Sequence, residues 1–132
     1  MAAVGGIVGC GAIVALPASA CGIRATAEIM RWLAANTAGQ CGPCVSGLGA
    51  IAATVVDLWR GTARSDSVDR LVRWSHDVVG RGACRYPDGA VRFLRSALTT
   101  FSDDARTHAQ GRPCSGAHLP TLMPVPNIGQ AA

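Results

Sequence analysis

A chain of 132 residues is one domain's worth of polypeptide, and with 49% hydrophobic and only 15% charged residues it can bury a core without disulfide staples. Its net charge of +4 comes from twelve basic residues, all arginine and scattered along the chain, while aromatics are only 5%. A phosphate-loop site is excluded because it needs a lysine, and nucleic acid is not an expected partner, because its binders interleave basic with stacking aromatic side chains.

Residues Met1 to Ile23 carry no charged side chain. Ala18-Ser19-Ala20-Cys21 loosely resembles the small-residue run before a lipoprotein cysteine, but no positive region precedes it. Glycines and Pro17 interrupt the stretch and no Arg or Trp marks its border, so no membrane insertion is expected. The Val and Ile residues between Val4 and Leu16 fit a glycine-broken buried strand that Pro17 stops. No second good strand follows, so residues 1–20 are expected to be the strand remnant of an upstream β-domain absent from the chain. Gly9-Cys10-Gly11 is not a dinucleotide loop, since Val14 stands where a third small residue belongs and Pro17 would break the helix.

From Gly22 the apolar spacing becomes helical. Ile23, Ala27, Met30, Leu33 and Ala34 share one face, and the helix is expected to end near Asn36. A second helix opens at Cys41-Gly42-Pro43-Cys44, where Pro43 suits a first turn, and runs through Leu48, Ile51, Val55 and Leu58 to Gly61. A third begins near Ser65 or Ser67, either of which can cap it, and continues through Leu71 and Val78 to Gly80. A fourth runs from Pro87-Asp88 through Val91, Leu94, Leu98, Phe101 and Ala105 to Gly111. The spacing predicts a mainly α fold: an antiparallel four-helix bundle over residues 21–112, a short N-terminal β-strand remnant, and an irregular C-terminal tail over 113–132.

This layout places three of the six cysteines together. Cys41 and Cys44 open the second helix, and Cys84 follows the third, which returns to the same end. A pair at that spacing plus a distant third thiolate can grip one ion or cluster, and the expected centre is iron-sulfur, with Cys41, Cys44 and Cys84 as ligands. The amides of Gly39, Gly42 and Gly82 are candidates for bonds to its sulfurs. Asp88 and His76 are the nearest non-cysteine donors for a fourth bond, although His76 suits a surface or capping role better. Without a fourth bond the loss of one iron leaves a 3Fe-4S cluster. Cys10 reaches this end only if the N-terminal strand folds back along the first helix. Cys21 and Cys114 fall at the opposite end, roughly 22 Å and 30 Å of helix away. They are read as small buried or tail residues, with a facing pair as the lesser alternative.

The segment Thr37-Ala38-Gly39-Gln40-Cys41-Gly42-Pro43-Cys44, followed about forty residues on by Gly82-Ala83-Cys84, resembles the iron-sulfur region of the NADH-binding flavoprotein subunit of NADH:quinone oxidoreductase and its relatives in NAD-linked hydrogenases and formate dehydrogenases. The family pattern is Ser-Cys-Gly-x-Cys-x-Pro-Cys-Arg, then Ile-Cys after a helical hairpin. Gly11-Ala12-Ile13-Val14 is similar to the family's last strand before the first helix. On this resemblance Cys41, Cys44 and Cys84 match ligand positions of a 4Fe-4S cluster, Ala38 stands at the first ligand position and Val45 at that of the arginine.

The resemblance implies a non-catalytic electron-transfer component with no NADH or flavin site of its own. Its partners would be a flavoprotein or other redox subunit as donor and another iron-sulfur protein as acceptor. Its location would be cytoplasmic, peripheral to a membrane-bound complex. Three other readings stand beside it. One is a structural zinc site on the three cysteines with His76 or a carboxylate. Another is an inert helical module with reduced, buried cysteines. The last is a thioredoxin-like dithiol at Cys-Gly-Pro-Cys, which would require a preceding strand in a βαβ unit.

Overall fold

The computed structural model describes residues 11–120 and residue 123. The fold is mainly helical, with five α-helices and no strand among the described residues: α1 (Gly22–Ala35), α2 (Gly49–Arg60), α3 (Ser67–Val78), α4 (Tyr86–Thr100) and α5 (Ser102–Ala109). A π-helical turn, Pro43–Leu48, leads directly into α2, and a 3-10 turn, Ser115–His118, follows α5.

Helix α1 starts where Cys21 caps it, its sulfur accepting the Arg24 amide at 3.3 Å. Ile23, Ala27 and Met30, at helical spacing, are fully buried, while Arg24 and Glu28 pair at 3.0 Å along the flank. The helix ends at Asn36, whose side-chain amide returns to the Trp32 carbonyl at 2.8 Å. Helix α2 stops at Gly61, which takes the left-handed conformation (φ 70°) that any other L-residue enters only at a cost. Helix α3 begins after Asp66 without a side-chain cap, so the expected serine cap is not made, and Ser67 is instead the buried first helical residue.

The long fourth helix expected from the sequence is two helices, broken at Phe101 (φ −106°, ψ 35°). The Phe101 ring lies against Gly22, and a side chain there would displace it. The break turns α5 so that His108 points inward toward the end of α2.

Helix α1 packs on α2 and α4, α3 on α2 and α4, and α5 against the ends of the others. Leu48, Ile51, Val55, Leu58, Leu71, Val91 and Leu94 meet α1's Ile23 and Met30 in one core. No buried side-chain nitrogen or oxygen among the described residues lacks a partner. The expected N-terminal strand lies partly outside the described residues, and 11–16 form no strand.

Residues 113–120, read from the sequence as irregular, are fastened down. The Trp59 indole N–H donates to the Ala117 carbonyl at 2.9 Å, and the Arg24 guanidinium reaches the Ala117 and Leu119 carbonyls while stacking on Trp59 at 5.0 Å. Gly116 is the close approach. A Cβ there would lie 2.3 Å from the Ser19 carbonyl oxygen and 2.7 Å from the Cys21 amide, both backbone atoms that cannot swing aside. Gly116→Ala is therefore expected to destabilise by about 1–3 kcal/mol. An unchanged thermal midpoint would mean that the turn does not rest on Ser19.

Candidate metal centre

The turn that carries the first two predicted ligands is wound before α2 begins. Pro43 has no N–H to lose at a helix start. The amides of Cys44 and Val45 both bond the Cys41 carbonyl, at 3.1 and 3.0 Å, which folds Cys41 onto the first turn. Residues 43–48 follow the wider π spacing, a form that recurs at functional sites. Val78, in the last turn of α3, packs against Gly47 and brings the end of α3 to this turn.

The 81–85 connection then returns over the same end. Ala83 lies near enough to act on the Cys41 thiol, and Cys41 and Cys84 near enough to act on Cys44. The segments carrying the three predicted cysteines thus lie at one end of the molecule, but their ligand atoms do not gather within 4.8 Å of one another. Cys44 is buried, Cys41 half-buried and Cys84 exposed. The amides that reach the Cys41 sulfur belong to Ala83 and Cys44, each next to or near a glycine rather than on one. Tyr86, half-buried at the start of α4, donates to the Leu33 carbonyl at 2.9 Å.

These neighbours split the two thiols of the Cys-Gly-Pro-Cys turn. The Ala83 amide, followed by that of Cys44, holds Cys41 below the ordinary thiol range. Burial, followed by the adjacent Cys41 and Cys84, pushes Cys44 up. In the reduced, metal-free chain, iodoacetamide should label Cys41 well before Cys44, with a rate midpoint below the free-cysteine value of about 8.5. Peptide mapping at several pH values checks this, and equal rates would contradict the asymmetry.

The other donors named from the sequence are placed as follows. Asp88 accepts the Gly80 amide at 2.8 Å and pairs with Arg85 at 3.1 Å, and these two, the amide foremost, hold its carboxyl below the usual carboxylate range. It shares with Cys84 the wall of an open hollow of about 350 Å³ that neither Cys41 nor Cys44 borders. His76 is exposed on α3, and Ala38 is exposed in the loop between α1 and Pro43. Cys10 lies outside the described residues. The element before the Cys-Gly-Pro-Cys turn is α1 and not a strand, so the turn lacks the thioredoxin setting.

At the far end of α2 the structure adds His108 to Cys21 and Cys114, which the sequence reading had placed at one end with a facing pair as the lesser alternative. The ligand atoms of Cys21, His108 and Cys114 all lie within 4.8 Å of one another, the one such trio of histidine, cysteine or acidic donors among the described residues. His108 was missed because its helical pattern was that of a solvent-facing last turn. The break at Phe101, which turns that face inward, has no clear sequence signal.

A family profile described as "NADH-ubiquinone oxidoreductase-F iron-sulfur binding region" matches residues 24–108. Among curated proteins, the NADH-quinone oxidoreductase F-subunit of Streptomyces coelicolor is 26% identical over 112 residues, covering 85% of this chain and 25% of the relative. The second F-subunit of the same enzyme in Rhizobium meliloti is 25% identical over 114 residues, covering 86% and 27%. The F-subunit of Rickettsia bellii is 25% identical over 108 residues, covering 82% and 26%. The chain thus spans about a quarter of the length of these relatives. With the match running through all three cysteines of the Pro43 end, the chain belongs to the family of the NADH-ubiquinone oxidoreductase-F iron-sulfur binding region.

Proposed function

We propose that residues 21–112 form an electron-transfer module in which Cys41, Cys44 and Cys84 hold a 4Fe-4S cluster, or a 3Fe-4S cluster where the fourth bond is not made. What supports this reading is the family match, which runs through all three cysteines, together with the nearness of Ala83 and Cys84 to the Cys41–Cys44 turn, where they act on its thiols. The donor set suits the group, because iron-sulfur centres take thiolate ligands and are tuned by N–H bonds to sulfur.

When bound, the cluster supplies a site that accepts and returns one electron at a time. The protein's own part is to position and shield. Cys44, Leu48 and Tyr86 keep water from the inner side, and the Ala83 and Cys44 amides stabilise negative charge on the Cys41 sulfur.

An antiparallel four-helix arrangement is the reading that accounts for the end-to-end contacts. Tyr86 at the start of α4 meets Leu33 at the end of α1, Phe101 at the end of α4 meets Gly22 at the start of α1, and Val78 at the end of α3 meets Gly47 just before α2. The proposed partners are a flavin-bearing redox protein as donor and a second iron-sulfur protein as acceptor. Exposed Val45 and Val79 beside the thiol end, 61% and 45% accessible, provide an apolar rim for docking. No helix among the described residues is long and apolar enough to cross a membrane, and the proposed place of the chain is cytoplasmic, at the periphery of a membrane-bound complex.

Anaerobic reconstitution with iron and sulfide, followed by iron counting and electron paramagnetic resonance, tests the reading. A brown protein with about three to four irons per chain supports it. A colourless, zinc-replete chain that takes up no iron defeats it.

A further inference from the structure

We propose that Cys21, His108 and Cys114 form a second metal site, for a single zinc-like divalent ion, at the end of α2 remote from Cys41 and Cys44. Cys21 precedes and Cys114 follows the residues 24–108 that match the family, so two of the three donors lie outside the matched region. From Cys44 to Leu58, where His108 docks, the helical rod spans roughly 20 Å, so the two sites share no ligand.

The geometry is that of a tetrahedral ion. Zinc bonds of about 2.3 Å to sulfur and 2.05 Å to nitrogen set a sulfur-to-nitrogen edge of about 3.5 Å. The Cys21 Sγ lies 3.6 Å from His108 Nε2, and the Cys114 ligand atom lies within 4.8 Å of both.

The histidine is oriented for the task. Its Nδ1 faces the Leu58 and Trp59 carbonyls at 3.1 and 3.0 Å, which can only accept, so Nδ1 carries the proton and Nε2 the lone pair. Backbone carbonyls fix ligating histidines in just this tautomer. The Nε2 lone pair accepts the Cys114 amide at 3.1 Å, and ion binding transfers it from that N–H to the metal. Burial holds the Cys21 thiol above its ordinary range, and the Arg24 amide that its sulfur accepts at 3.3 Å offsets this only in part.

Binding costs two thiol protons, which pass to solvent, and two thiolates with a neutral imidazole bring a divalent ion to zero net charge. A neutral assembly can sit where His108 is fully buried. Such an ion would tie the start of α1, the inward face of α5 and the 3-10 turn together.

Cobalt reports on the site because zinc has no visible spectrum. The full chain carrying Cys41→Ser, Cys44→Ser and Cys84→Ser is titrated with Co²⁺ under reducing, anaerobic conditions. One equivalent should give tetrahedral thiolate-cobalt bands that zinc bleaches, and adding Cys114→Ser should weaken binding more than about 100-fold, beyond the effect of losing an outer-shell partner. Bands that survive Cys114→Ser, or a folded chain that shows none, overturn the site.

In the wild-type chain, Zn²⁺ should slow alkylation of Cys21 and Cys114 and release about two protons per ion. Equal labelling with and without zinc overturns the proposal even if the triple variant does not fold. So does a Cys21–Cys114 disulfide in the purified chain that, once reduced, takes up no metal.

Discussion

Serine at Cys84 is expected to remove more than about half of the iron that the chain retains after anaerobic reconstitution, and cysteine at Ala38 to increase it. Cys84 alone reaches the thiol end from the 81–85 connection, so its loss leaves only the two sulfurs of one turn, Cys41 and Cys44. Two adjacent thiolates cannot enclose a cluster on their own. Ala38 occupies the first ligand position of the pattern in an exposed loop, three residues before Cys41. Nothing packed is disturbed when a thiol is placed there. Iron and sulfide counts should rise toward four of each, and the paramagnetic signal should change from that of an oxidised 3Fe-4S centre to that of a reduced 4Fe-4S centre. Identical iron contents in wild type, Cys84→Ser and Ala38→Cys would remove the cysteine triad from the account of iron binding.

Truncating Leu48 to alanine should cost about 3 kcal/mol and lower the thermal midpoint by on the order of 10 °C. Leu48 is wholly buried at the junction of the π-helical turn and α2, four residues past Cys44. Its loss leaves a cavity beneath the shelf that carries the thiols, and close-packed surroundings collapse only partly to fill it. Reconstituted iron should then be lost more readily on dilution, because the shelf relaxes with the cavity. Val45, one residue past Cys44 and largely exposed, provides the contrast: Val45→Ala should change stability by less than about 0.5 kcal/mol. A Leu48→Ala chain as stable as wild type would show that the turn is not anchored in the core.

The helices were legible because each announces itself locally. Ile23, Ala27 and Met30 repeat on one face, Pro43 starts a rod, and Gly61 and Gly80 stop the next two elements. The proposed grouping of Cys41, Cys44 and Cys84 follows the same logic, since helices that reverse at short loops return the chain to the end it left. Three features were not legible. Phe101 has the apolar spacing of a continuous helix, yet its ring settles on Gly22 some eighty residues earlier, and the backbone breaks to let it.

His108 looks like a polar residue in a helix's last turn until that break rotates it onto the Leu58 and Trp59 carbonyls. The tail after Gly111 likewise lacks any periodic signal, and its position comes from donors on α1 and α2, Arg24 and Trp59. The amino-acid order therefore determined most of the helices and the family. Only the tertiary structure decided where helix four breaks and that Cys21, His108 and Cys114 meet, because those outcomes depend on contacts between segments far apart in the chain, which no local pattern encodes.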